Sequence, residues 1–200
     1  LDEPLAALDK KLREETQFEL MEIQRQLGLT FIIVTHDQEE AMTLASRIGV
    51  MSRGRFAQIG EPRNVYEEPR TRYVAEFVGD INLMAGTVVA PGAFVAEGQD
   101  LRLAVDTQGH AAGTAAIFAI RPEKIRLRPA GAGQGPNALS GRILSTAYLG
   151  DITLYRVALA SGPLMRVSRV NGEHSAEAPF DLGAEVDLVF EASAGLLLKD

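Results

Sequence analysis

Hydrophobic spacing divides the chain into two textures. Between Lys10 and Leu27, the residues Leu12, Thr16 (through its methyl), Leu20, Ile23 and Leu27 recur at three- and four-residue steps. That spacing predicts an amphipathic helix, with Gly28 as its stop. Phe31-Ile32-Ile33-Val34 is short, wholly apolar and rich in β-branching. It predicts a strand covered on both faces, as in a parallel sheet. Asp37-Gln38-Glu39-Glu40 predicts a second helix start. Asp37 can cap it, Glu40 stands at the capping-box position, and an acidic first turn suits the helix dipole. Apolar runs at 48–51 and 55–59 flank Ser52-Arg53-Gly54 and predict a hairpin. Short helices are expected near 62–66 and 71–77.

After Gly79 the period shortens. Strands are predicted at 115–121, 124–128, 139–149, 153–159, 164–170 and 186–190, separated by turn residues. Tyr155-Arg156-Val157-Ala158-Leu159 and Val186-Asp187-Leu188-Val189-Phe190 alternate as half-buried strands do. Short strands with Gly/Pro punctuation argue for a small barrel or sandwich. The boundary is placed near Gly79-Asp80. The run 129–136 is glycine-rich but lacks the Lys-Ser/Thr of a phosphate loop, so it is expected to be a flexible hairpin tip.

Composition narrows the picture. An apolar fraction of 46% over 200 residues supports ordinary cores. The net charge is −7 and acidic residues prevail on both sides of the boundary, so nucleic acid is excluded as an expected partner. Cysteine is absent, which rules out disulfides and thiolate metal sites. No apolar run approaches the roughly 18 residues that span a bilayer.

The candidate chemistry sits in the first texture. Asp2-Glu3 precede Pro4, Asp9 follows six residues after Glu3, and His36 follows the apolar run. In parallel sheets, ligands lie beyond the carboxyl ends of the strands. If the segments around Leu1 and Val34 are neighbours, the acidic pair and the histidine face one edge. Asp2 could then hold Mg²⁺ or its water, Glu3 could orient or activate an attacking water, and His36 could act near a γ-phosphate. Taken singly, each residue has a plainer role. Asp9 in particular is a good helix cap, and His36 could be a solvated side chain before one.

The ordered set Leu-Asp-Glu-Pro, Ala7-Leu8-Asp9, a helix, then Val34-Thr35-His36-Asp37-Gln38-Glu39-Glu40-Ala41 resembles the second half of an ATP-binding-cassette (ABC) transporter ATPase. The resemblance covers essentially the whole chain. It implies that Glu3 is the catalytic glutamate at the end of the Walker B strand and that His36 is the switch histidine. Asp2 is implied to bind Mg²⁺. Asp9 is implied to be the D-loop aspartate, which contacts the cofactor site across a dimer. Walker A, the Q-loop and the signature motif have no counterpart in the 200 residues, so the chain is expected to be a fragment, inactive alone. Ile120-Arg121-Pro122-Glu123-Lys124-Ile125-Arg126-Leu127 and Tyr148-Leu149-Gly150 resemble the transport-associated OB-type (TOBE) domain of the importer branch.

The implied fold class is a truncated α/β domain of P-loop NTPase type over 1–79, followed by an all-β OB-like barrel over 80–200. The implied function is ATP hydrolysis, with ATP and Mg²⁺ as cofactors in the intact protein, energising uptake of a small solute. Residues 53–62 and Thr71-Arg72-Tyr73 look most similar to the polyamine importers, the putrescine type above all. The implied partners are a second copy, transmembrane permease subunits and, indirectly, a periplasmic solute receptor. The implied location is the cytoplasmic face of the membrane. The competing reading is a ligand-sensing or interaction module centred on the barrel, taking an oxyanion or a regulator. There, Arg121, Glu123 and Asp151 are expected to form only weak surface ion pairs.

Overall fold

The computed structural model describes residues 1–5, 7–98, 101–160, 162–172 and 180–199. The chain divides into two compact units, Leu1–Gly79 and Asp80–Asp200.

In the first unit, α1 (Lys10–Leu27) begins where the Asp9 side chain accepts the N–H of Leu12. It ends at Gly28, whose φ of 62° is the left-handed conformation of a helix C-cap. The helix spans the predicted residues, but its apolar stripe is not buried. Leu12, Ile23 and Leu27 are exposed, and the buried residue on α1 is Gln17. The reason lies in the small core of this unit, which gathers Val50, Val65, Val74 and Val78 and takes nothing from α1. The run 31–34 departs from expectation in the same way. Val34 forms one parallel bridge with Asp2 rather than a full strand, and Ile32 is 78% exposed. Among the described residues, that run is not covered on both faces.

The second helix, α2 (Gln38–Leu44), is capped by Asp37, whose Oδ1 accepts the Glu40 N–H at 3.1 Å. The reciprocal half of the predicted capping box is absent. Buried Glu40 instead accepts from the Thr35 hydroxyl at 2.8 Å, and that hydroxyl oxygen accepts the Asp37 N–H at 3.0 Å. One threonine thus serves both groups that a capping box would have paired. The strands β1 (Ile48–Ser52) and β2 (Arg55–Gly60) form the predicted hairpin. Its two turn residues, Arg53 and Gly54, both have positive φ, as a tight twisted turn demands. Two short helices follow, α3 (Pro62–Glu67) and α4 (Arg72–Phe77), the latter capped by Thr71.

The second unit is all β. Its strands are β3 (Asn82–Ala90), β4 (Ala93–Ala96), β5 (Arg102–Ala104), β6 (Ala115–Ile120), β7 (Arg126–Pro129), β8 (Asn137–Tyr148), β9 (Ile152–Leu159), β10 (Leu164–Val170), β11 (Glu185–Phe190) and β12 (Gly195–Leu198). They form two five-stranded antiparallel sheets, ordered β10-β9-β8-β11-β7 and β12-β6-β3-β4-β5. One continuous core lies between them, with Phe94, Phe118 and Phe190 in a row at centroid spacings of 6.0 Å.

The two sheets are copies of one plan. Reading β3–β6 against β8–β11, each element falls at the same place in its sheet. Asn82 pairs with Ile120 as Asn137 pairs with Phe190, and both central hairpins carry a bulge at the same step, after Val88 and after Ile143. The fifth strand of each sheet comes from the other half: β7 follows β6 but pairs with β11, and β12 follows β11 but pairs with β6. Gly86 and Gly141 occupy equivalent positions where a Cβ would lie 2.2 Å and 2.7 Å from the backbone oxygen of the next strand. Only glycine permits the hairpins to coil this tightly.

Two asparagines close the seams between the sheets. Asn82 on β3 accepts the Arg166 N–H at 2.7 Å and donates to the Arg166 carbonyl at 2.9 Å. Asn137 on β8 does the same for Ala104, with both bonds at 2.8 Å. Each primary amide stands in for one rung of a strand ladder on an otherwise open edge, β10 in one case and β5 in the other.

Two smaller expectations fail here. The run 129–136 is not a hairpin tip, because β11 lies between β7 and β8, and Gly133 donates its N–H to Asp187 Oδ2 at 2.9 Å. Arg121 is buried rather than at the surface, and it donates to the Asp80 carbonyl at 3.0 Å. Asp187 is buried as well, which breaks the simple alternation expected of β11. The Gly133 N–H holds its carboxyl below the ordinary value of 3.8, aided by the Ser140 hydroxyl and the Gly131 N–H and opposed by burial.

Candidate functional site

The candidate site is built by one short parallel contact. Val34 donates to the Leu1 carbonyl at 2.9 Å, and Glu3 donates to the Val34 carbonyl at 2.8 Å. The Leu1 amino group donates to the Ile32 carbonyl at 2.8 Å. Both segments therefore run in one direction and end side by side, which is the arrangement that brings chemistry to the carboxyl edge of a parallel sheet. Glu3 then turns with a positive φ of 42°. Its Oε1 comes to 2.7 Å from His36 Nδ1.

That distance suits an Nδ1–H donated to the carboxylate, which fixes the ring and leaves Nε2 for another partner. Both side chains are largely exposed, so the pair adds little to stability. It is an accessible acid–imidazole couple, placed by backbone pairing rather than by burial. Asp2 lies beside Glu3 as the bridging residue and is exposed. One carboxylate suits Mg²⁺ held jointly with substrate phosphates, the usual arrangement for that ion. Among the described residues, no cluster of three or more His, Asp or Glu could hold a metal without such help.

Asp9 is placed otherwise. Its Oδ1 caps α1 at 3.0 Å from the Leu12 N, and no hydrogen bond among the described residues joins it to Glu3 or His36. Sequence reasoning missed Arg13, one turn into α1. Its guanidinium donates to Asp37 Oδ2 at 2.8 Å through one nitrogen and to the Leu8 carbonyl at 3.0 Å through another. The available signal was an arginine four residues after the cap and an acidic residue directly after His36.

Comparison with known proteins places both parts of the chain among relatives. The family model of the TOBE domain matches residues 118–198. The putrescine transport ATP-binding protein PotG of Escherichia coli is 40% identical over 203 residues, covering 99% of this chain and 54% of its own length. Over its whole length the chain is similar to transport ATP-binding proteins. The spermidine/putrescine import ATP-binding protein PotA of Nitrosospira multiformis is 39% identical, covering 100% of this chain and 56% of its own length. PotA of Pseudomonas fluorescens is 45% identical over 163 residues, 80% of this chain. The chain thus spans about half the length of the curated relatives it matches. Among solved structures, the cytoplasmic molybdate-binding protein ModG aligns with a TM-score of 0.51 and 22% identity, over 58% of this chain and 94% of its own. That likeness concerns the fold alone. No helix among the described residues is long and apolar enough to cross a membrane.

Proposed function

We propose that the chain is part of an ATP-hydrolysing subunit of an ABC importer that energises uptake of a polyamine such as putrescine or spermidine. The observation that carries this reading is the 2.7 Å Glu3–His36 contact, created by parallel pairing of the two segments that end in those residues. Residues 1–79 are the later part of an α/β domain of P-loop NTPase type, and 80–200 are the TOBE region. In the full-length protein, Glu3 orients or deprotonates the attacking water, and His36 holds the γ-phosphate side of the site while its ring is fixed by Glu3. Asp2 would hold Mg²⁺, which when bound would neutralise charge on the phosphates of ATP. Asp9 faces the site of a second copy. The polyamine assignment is supported by the relatives, which are putrescine and spermidine/putrescine transport proteins. The partners are a second copy, the transmembrane permease subunits and, indirectly, a periplasmic receptor. The working location is the cytoplasmic face of the membrane.

The test is Glu3→Gln in the full-length protein. Turnover should fall by about 100-fold or more, the scale of a lost general base, while nucleotide binding persists. Near-normal phosphate release by that variant removes Glu3 from this role.

A further inference from the structure

Arg13 lies outside the acid–imidazole couple yet touches both stretches of chain that carry it. One nitrogen donates to the Leu8 carbonyl, five residues after Glu3, and another donates to Asp37, the residue after His36. The two anchors are different in kind. The Leu8 carbonyl belongs to the turn that leads into α1, just before the Asp9 cap. Asp37 divides its carboxylate, with Oδ1 capping α2 and Oδ2 receiving Arg13. The guanidinium is only partly exposed, as is Asp37, so this pair is screened less than the surface pairs on α1.

We infer that Arg13 is a positioning residue that locks the turn after Glu3 to the start of α2 and so holds Glu3 and His36 in mutual register. The backbone between Leu1–Glu3 and Ile32–Val34 is joined by only a few hydrogen bonds and one bridge. Beyond Glu3 and beyond Val34 the two segments diverge, Glu3 by its positive φ and the other by entering α2. The Arg13 fork joins the two segments again past that point, at Leu8 and at Asp37. Arginine suits the task because its rigid planar donors can reach a carbonyl and a carboxylate at once, whereas a lysine offers one flexible point charge. Misplacement of a reacting group by about 1 Å costs on the order of 100-fold in rate. The contact therefore matters to turnover far beyond its small effect on stability.

The inference rests on the ATPase reading, and its test separates the two. In the full-length protein, Arg13→Gln should lower kcat for ATP about 10-fold, with KM changed by less than about twofold. Arg13→Lys should recover part of that loss. Asp37→Asn keeps an oxygen to cap α2 but loses the charge, and it should reproduce the Arg13→Gln loss. The double variant should be no worse than either single one, because both remove one interaction. Independent, multiplicative losses overturn the inference, as does wild-type kcat in Arg13→Gln. A loss confined to KM overturns it too. If Arg13→Gln is too unstable to assay, Asp37→Asn and Arg13→Lys decide the matter by the same criteria. Persistent turnover in Glu3→Gln, by contrast, strikes the ATPase reading itself, whatever Arg13 does.

Discussion

The two units use their apolar residues in opposite ways. Residues 80–200 enclose a continuous core between two sheets, and the exposed edges are closed by Asn82 and Asn137. Residues 1–79 bury four valines and leave Leu12, Phe18, Ile32 and Val34 in the open. The first arrangement satisfies its own sequence. The second carries a hydrophobic pattern that the described residues do not satisfy, while still assembling an acid–imidazole couple with little burial. A stable core and an ordered site edge are thus separable achievements in this chain.

The largest expected effect tests that contrast directly. Phe118→Ala, in the centre of the aromatic row, should cost about 3–5 kcal/mol, whereas Phe18→Ala, 65% exposed on α1, should change stability by less than about 0.5 kcal/mol. Urea denaturation followed by far-ultraviolet circular dichroism measures both. A comparable loss at Phe18 breaks the contrast.

The next effect concerns the seams. Asn137→Ala removes both bonds to the β5 backbone at Ala104 and leaves those groups without their amide partner. The expected cost is about 2–3 kcal/mol. Amide exchange should quicken at Ala104 more than in the β8–β9 ladder. Uniform quickening across the unit would show that the amide acts on the whole core instead of the edge.

The smallest effect is pH-dependent. Because the folded carboxyl of Asp187 lies below its ordinary value, its contribution is present above that ordinary value and is lost as pH falls through the lowered one. Asp187→Asn should cost about 1 kcal/mol at neutral pH, and the gap to wild type should shrink once the pH is taken well below the ordinary carboxylate value. A gap that stays constant between those conditions shows that shape, not charge, fastens the 129–136 run.

Much of the first unit was legible because local signals set it. The caps at Asp9 and Asp37, the stop at Gly28 and the Arg53-Gly54 turn each act within a few residues. The burial of α1 was misread because periodicity identifies an apolar face and says nothing of what covers it. In the second unit, β3, β4, β5 and β12 were not anticipated. Ala85 and Gly86 blur the pattern of β3, and β12 is a four-residue apolar run that period alone cannot assign. The duplicated plan was not anticipated; its trace in the sequence is that Asn82 and Asn137 each precede a glycine by four residues. Two matching residues at one spacing are too sparse to weigh without the sheets that align them.

The pairing of Glu3 with His36 was an inference about neighbouring segments, and the ordered motifs by themselves pointed to a resemblance and singled out the candidate groups. Only the tertiary structure decided that Arg13 ties the two site segments together. It also decided that a pair of amides seals the sheets. The physical reason is one of range. Caps, turns and periodicity are set by neighbours in sequence, but a fork across 24 residues or an amide rung across 84 exists only once distant backbones have been brought within hydrogen-bonding distance.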